Sequence, residues 1–355
     1  MTGNVGNFFE DFRLGRRFRH APARTLTDGD AALYRAIYGA RFALQSDEVL
    51  AKSLGFRASP LDELLVFHAV FGMSVADVSL NAVANLGYAQ LRFGRPLYAG
   101  ATLRAFSEVI GLKANADGKT GVVYVRTEGL DQSDVEVVSF VRWVMVRKRD
   151  AAAPPPQTVV PSLEGVVAPN GLVAPEGADL ALAQPVETGS DRCWDDYAAG
   201  EKIDHIEGVT IEESDHMTAA RLFQNGARVH FNAYAERGGR FGKRIVYGGH
   251  VISLARALSF NGLQNALRIA AINGGRHVNP VFAGDTIFAW SEVLDRALIP
   301  NANAPFSDRR DCGALRLRLV ATKDLPCGEF PDRVGDKYPE NVVLDLDYWA
   351  ILPRR

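Results

Sequence analysis

Hydrophobic positions along the chain fall into two sets of the same kind. Asp30 to Tyr38 (DAALYRAIY) and Asp215 to Gln224 (DHMTAARLFQ) carry apolar residues at helical spacing behind an acid able to cap free N–H groups, which predicts two short helices. Leu61 to Val78 and Val251 to Leu263 are apolar almost all round, the pattern of a helix buried on most of its faces. Alternating β-branched and aromatic stretches follow each buried helix. They run Thr102 to Leu112, Gly121 to Gly129 and Val135 to Val146 in the first set, and Thr286 to Val293, Ala314 to Thr322 and Val342 to Leu352 in the second. A long helix followed by an antiparallel sheet able to wrap it makes each set an α+β unit.

The two sets also match residue by residue. Arg95 to Val109 (RPLYAGATLRAFSEV) and Asn279 to Val293 (NPVFAGDTIFAWSEV) share Pro, Ala-Gly, Thr and Ser-Glu-Val in register. Tyr38-Gly39-Ala40-Arg41 matches Asn225-Gly226-Ala227-Arg228, and the same offset lays Leu54-Gly55 on Phe241-Gly242. Both matches keep their order, which predicts duplication of one folding unit. Between the two units the composition shifts to Pro, Ala and Gly with almost no aromatics. Such a segment gains too little from burial to offset its ordering entropy and reads as an extended linker draped over a surface. The expected organisation is a first half over 1–150, a linker over 151–190 and a second half over 191–355.

Composition narrows the function classes. The chain has 355 residues, 47% hydrophobic and 23% charged, enough for two domains of about 150 residues each. A net charge of -2 leaves no basic field to gather phosphate backbones or anionic lipid, so neither nucleic acid nor a membrane is an expected partner. The opening MTGNVGNFFEDFRLGRRF lacks a secretory core, and no run of about 18 apolar residues occurs, so a cytoplasmic location is expected. Cys193, Cys312 and Cys327 are far apart, with no C-x-x-C pair and no His at metal spacing, and read as plain thiols without a metal.

Two segments of the second half carry candidate chemistry. One is Gln224-Asn225-Gly226-Ala227-Arg228-Val229-His230, at the end of the second short helix. The other is Arg244-Ile245-Val246-Tyr247-Gly248-Gly249-His250-Val251, leading into the second buried helix. They resemble the two landmarks of the MaoC-like dehydratases, the (R)-specific hydratase group: an acid followed five positions later by His, in a Gly-Asp-x-Asn-Pro-x-His context, and a His-Gly-x entry to the central helix. The resemblance covers both halves, excluding the linker. It implies a tandem double hotdog, each half an antiparallel sheet wrapped round a central helix. His230 matches the signature His, but the acidic position is Asn225 and the first His of the second landmark is Tyr247. In the first half the paired positions are Tyr38 and Ala43, or Ala40 and Gln45, depending on register. Neither pair transfers a proton at neutral pH, which leaves the active site to the second half.

Water adds to the β-carbon of an enoyl thioester only if the charge building on the thioester oxygen is stabilised, and backbone N–H groups at a helix N-terminus do this without reorganising. Gly248 and Gly249 allow that close approach and are the expected oxyanion donors. His230, titrating near pH ~6.5 when unperturbed, is the expected base. Asn225 holds water but moves no proton. Either His230 carries both transfers, or a second group does, with Tyr247 and His250 the nearest candidates. His68, His205, His216 and His277 read as structural or exposed.

Longer strings narrow the resemblance. NFFEDFRLG, SLNAVANLGYAQLRFGRPLYAG, DGKTGVVYVRTEG and FVRWVMVRKRD are similar to the mesaconyl-CoA hydratases, also called β-methylmalyl-CoA dehydratases. The resemblance implies a hydro-lyase that reversibly dehydrates (2R,3S)-β-methylmalyl-CoA to mesaconyl-CoA, a step of the ethylmalonyl-CoA route of acetate assimilation, with no metal or organic cofactor. Such an acyl-CoA carries a free carboxylate, for which a guanidinium fork is suited; Arg228 and Arg244 lie nearest in sequence. The silent half is expected to widen the acyl tunnel and supply part of the CoA groove, and further assembly into a homo-oligomer is compatible with this. Two rivals stay open: a hotdog acyl-CoA thioesterase, and a non-catalytic acyl-CoA binding protein.

Overall fold

Both halves build the same order of elements in the computed structural model, which describes residues 5–301 and 307–355. The first half runs β1 (Arg17–Thr25), α1 (Asp28–Tyr38), α2 (Ala43–Ser46), α3 (Glu48–Ser53) and the central helix α4 (Glu63–Val78). It then forms β2 (Ala82–Phe93), β3 (Thr102–Ala114), β4 (Thr120–Leu130) and β5 (Glu136–Arg147). After the short linker helix α5 (Pro185–Thr188), the second half runs β6 (Lys202–Asp204), β7 (Val209–Thr210), α6 (Glu213–Leu222), α7 (Arg228–Phe231), α8 (Ala233–Glu236) and the central helix α9 (Gly248–Leu258). Strands β8 (Arg268–His277), β9 (Thr286–Pro300), β10 (Asp308–Lys323) and β11 (Val342–Pro353) complete it. All six strands expected from alternation are present; β9 and β10 extend well beyond the expected bounds and the other four match to within about two residues.

Helices α6, α7 and α9 each start 185 residues after α1, α2 and α4. This spacing shifts by two residues the match of Tyr38 to Asn225 made on sequence. The counterparts of Asn225 and His230 are therefore Ala40 and Gln45. The expected acid caps also need correction. Thr27 caps α1, its Oγ1 accepting from Asp30 N while the Asp30 carboxylate accepts from Thr27 N, and α6 has no side-chain cap at all. Asp30 and Asp215 lie inside the first turn, where their negative charge is favourable at the positive end of the helix dipole.

The strands form one 11-stranded sheet in the order β1-β3-β4-β5-β2-β8-β11-β10-β9-β6, with β7 pairing β9. Helix α4 packs on β1, β3 and β4, and α9 packs on β9, β10 and β11, so each half is a hotdog unit. The halves join edge to edge at β2 and β8, Tyr88 opposite Gly275 and Arg92 opposite Ala271. These seam strands escape sequence reading because β8 is buried on both faces over most of its length and shows no alternation. Among the described residues no helix is long and apolar enough to cross a membrane.

Residues 151–190 are more than a surface linker. Val167 and Leu180 are fully buried, and with Leu172 they pack against Ala43 and Leu44 of α2 and against Trp349. Trp349 Nε1 donates to Val167 O at 3.0 Å, Val167 N donates to Asn273 Oδ1 at 2.8 Å, and Arg309 donates to the carbonyls of Pro175 and Ala178. A few aliphatic anchors and borrowed hydrogen-bond partners thus offset the ordering entropy that composition alone counts against the segment. It acts as a strap laid over α2.

At the N-terminus of α4, Glu63 Oε1 accepts from Arg268 Nε of β8 at 2.7 Å, with both side chains buried. Removing one partner of a buried ion pair leaves the other charge without compensation. Glu63→Ala should lower unfolding stability by about 3–5 kcal/mol, read as the shift of the denaturant midpoint; an unmoved midpoint would show that the pair does not hold the halves together.

Candidate active site

The path from α6 to α7 fixes the first two groups. Gln224 takes φ +53 and turns the chain out of α6. Asn225 then lies buried, its N–H on Ala220 O at 2.9 Å and its Oδ1 accepting from Ala227 N at 3.2 Å. That bond orients the amide and leaves Nδ2 as its free donor. Ala227 begins α7, on which His230 sits half-buried. His230 Nδ1 lies 3.0 Å from Ile245 O. A carbonyl only accepts, so Nδ1 carries the hydrogen and Nε2 keeps its lone pair. Burial pushes the His230 pKa down to about 4, with the Ile245 carbonyl acting in the opposite direction. The ring is therefore a neutral base at physiological pH.

Helix α9 supplies the facing group. Its N-cap, Tyr247, makes no side-chain cap, and the N–H groups of Gly248 and Gly249 precede the first intrahelical bond. The Tyr247 ring is 5.5 Å from that of His230 between centroids. Gly248 lines the cavity with the His277 imidazole against it: a Cβ there would fall 2.4 Å from His277 Cε1. Gly249 is packed behind, where a Cβ would meet the Tyr247 ring at 2.4 Å and His68 Cε1 at 2.5 Å. Tyr247 is held from below by a buried chain. Its hydroxyl lies 3.2 Å from His68 Nδ1, His68 Nε2 lies 3.2 Å from Ser253 Oγ, and Tyr34 donates to the same Ser253 Oγ at 3.0 Å.

Asn225, His230, Tyr247 and Gly248 come together around one cavity of about 340 Å³, with Arg228 exposed at its rim. Three other expected residues do not line it. Arg244 turns away to an ion pair with Glu213 and to Met217 and Phe231. His250 is buried on the other side of α9, its Nδ1 3.1 Å from Tyr38 Oη. Gly249 lies beneath the lining, as described.

The cavity also contains groups that sequence reasoning missed. His277, read as structural or exposed, lines it with Nε2 unpartnered among the described residues; burial and then the neighbouring His230 push its pKa down to about 4. The first half contributes Tyr88, Asn85 and Arg142. Arg142 carried a visible signal, a cation inside the apolar run FVRWV, whereas His277 ends a strand with no readable alternation. The equivalent place in the first half is closed. Asp62 caps α4 by accepting from Leu64 N at 2.8 Å, and Gln45, in the position of His230, donates to Leu267 O at 3.0 Å.

Comparison with known proteins identifies the family. The family model for mesaconyl-CoA hydratase matches residues 1–323. The chain is 59% identical over 353 residues to a β-methylmalyl-CoA dehydratase of Chloroflexus aurantiacus, covering 99% of this chain and 98% of that one. It is 55% identical over 355 residues to a mesaconyl-CoA hydratase of Cereibacter sphaeroides, with 100% of both chains covered. A crystal structure of a MaoC domain protein from Chloroflexus aurantiacus superposes with a TM-score of 0.96 at 59% identity, over 100% of this chain and 99% of that one. Matched by the family model over residues 1–323 and by these relatives over nearly the whole chain, the protein belongs to the mesaconyl-CoA hydratase family.

Proposed function

We propose that the chain is a hydro-lyase interconverting mesaconyl-CoA and (2R,3S)-β-methylmalyl-CoA, with His230 as the proton carrier. The observation that carries this reading is that neutral His230, its Nδ1 engaged by Ile245 O, lines the same cavity as Gly248 at the uncapped N-terminus of α9. In hydration, Nε2 takes a proton from water as the water oxygen bonds to the β-carbon. The π electrons move toward the thioester, whose oxygen accepts the N–H groups at the start of α9. The enolate then collapses, and the imidazolium returns its proton to the α-carbon. The water's two hydrogens end on the new hydroxyl and the α-carbon, so His230 is regenerated. Asn225 Nδ2 holds the water, and a His277 tautomer with hydrogen on Nε2 adds a donor beside Gly248.

Attack on the β-carbon also separates this reading from a thioesterase, in which water attacks the carbonyl carbon and CoA leaves. Loss of enoyl absorbance without appearance of free thiol supports hydration; thiol release would favour hydrolysis, and binding without either change would mark a binding protein.

His230→Ala should lower kcat by at least ~10²-fold while far-UV circular dichroism stays unchanged; near-normal turnover in that variant removes His230 from the chemistry. Asn225→Asp keeps the acceptor for Ala227 N–H and replaces the Nδ2 donor by an oxygen that holds the water as an acceptor, so activity should be retained to within a few-fold, whereas a collapse would show that the amide donor is required. Because the base works unprotonated and its pKa is depressed, kcat/KM should stay level from about pH 8 down to about pH 5. A half-maximum near an ordinary histidine pKa of ~6.5 would contradict the buried, neutral ring.

A further inference from the structure

One buried cation in the cavity has no anionic partner. Arg142, on β5, is fully buried. Its guanidinium lies over the Phe71 ring at 4.2 Å, and its two terminal nitrogens donate to Ser74 Oγ at 2.8 Å and Ser79 Oγ at 3.3 Å. Nε has no partner, and no carboxylate pairs with Arg142 among the described residues. Of the other buried arginines, Arg268 pairs with Glu63, while Arg256, which does not line the cavity, is held by Ser259 Oγ and the Ala266 carbonyl. Burial lowers the Arg142 pKa to about 10, with Tyr88 and Tyr247 acting in the opposite direction, and the group remains cationic at neutral pH. A buried charge held by two hydroxyls is costly unless an anion completes the site.

The surroundings define where that anion would be. Arg142 pairs across the ladder with Tyr88, whose ring meets His277 edge-on at 5.9 Å. Asn85, further along β2 in the same cavity, is a buried amide with neither Oδ1 nor Nδ2 partnered. Three unused N–H directions of a guanidinium and a free amide form a polar receptor in the wall contributed by the first half, beside the apolar Phe71, Val75 and Val144.

We infer that Arg142 is the receptor for the free carboxylate of the acyl group, and that it both selects the substrate and activates it. The inference rests on the hydratase reading above. In mesaconyl-CoA the carboxylate is bonded directly to the β-carbon, so its receptor has to stand beside the point of water attack. A carboxylate left unneutralised there repels the incoming oxygen and opposes charge flow toward the thioester. Pairing with Arg142 removes that opposition while the cavity excludes solvent. Arg228 at the rim and Arg244 on Glu213 are not placed for this task.

The test compares mesaconyl-CoA with crotonyl-CoA, which has a methyl group in place of the carboxylate and lacks the α-methyl group, so each substrate is compared between wild type and variant. Arg142→Gln should lose about 10²-fold or more in kcat/KM for mesaconyl-CoA while crotonyl-CoA hydration changes by less than about 5-fold. Arg142→Lys, which keeps the charge but not the fork, should fall between. Equal loss with both substrates, or no loss with mesaconyl-CoA, overturns the inference. Calorimetric binding of the two thioesters to the wild type and to Arg142→Gln separates the two claims. A wild type that prefers mesaconyl-CoA without turning it over, with the preference lost in the variant, would sink the hydratase reading and keep the carboxylate receptor. A wild type without that preference would sink the receptor even if hydration is observed.

Discussion

Where β2 meets β8, backbone pairing merges two hotdog sheets into one, and the positions of the reacting groups follow from that seam. Tyr88 stands opposite Gly275 on one side and Arg142 on the other. His277 lies two residues beyond Gly275, on the same face of its strand. Three polar side chains from three neighbouring strands are thereby carried to one wall, opposite the helix entry that bears Gly248. A one-residue slip in this pairing would turn the set away from the cavity. The buried hydrogen bonds between α4 and α9, through His68 and Ser253, keep the two central helices in step with the strands they underlie.

Duplication gave both halves the same skeleton, and local chemistry decides which one keeps an open cradle. A free N-terminus of a helix attracts an oxyanion only while its N–H groups are unused. Asp62 occupies those of α4 with its own carboxylate, and beside it Glu63 neutralises Arg268. Tyr247 provides no such cap to α9. The first half supplies the cavity wall that carries Arg142.

The parts of the fold legible in the sequence were those with a one-sided environment or a run of strand-forming residues. Strand β3 alternates between buried and partly exposed positions because one face meets a helix, whereas β11, buried over nearly its whole length, was legible through its β-branched and aromatic residues. The seam strand β8 is enclosed on both faces and carries no such rhythm. At the site, His230, Asn225, Tyr247 and Gly248 were legible because they belong to two short motifs on either side of one turn. Arg244 was misassigned because nearness along the chain says nothing about direction; its side chain leaves toward Glu213 on α6. His250 points to the opposite face of α9 for the same helical reason. Arg142 and His277 reach the cavity only through pairing between distant strands, which no local pattern encodes.

The strap over residues 151–190 has a consequence for how the halves hold together. Val167, Leu172 and Leu180 share one buried cluster with Ala43 and Leu44 of α2, the helix that corresponds in position to the one carrying His230, and with Trp349 of the second half. Gln45 of the same helix donates to the Leu267 carbonyl of the second half. A chain cut within this segment would therefore lose packing on both lobes at once.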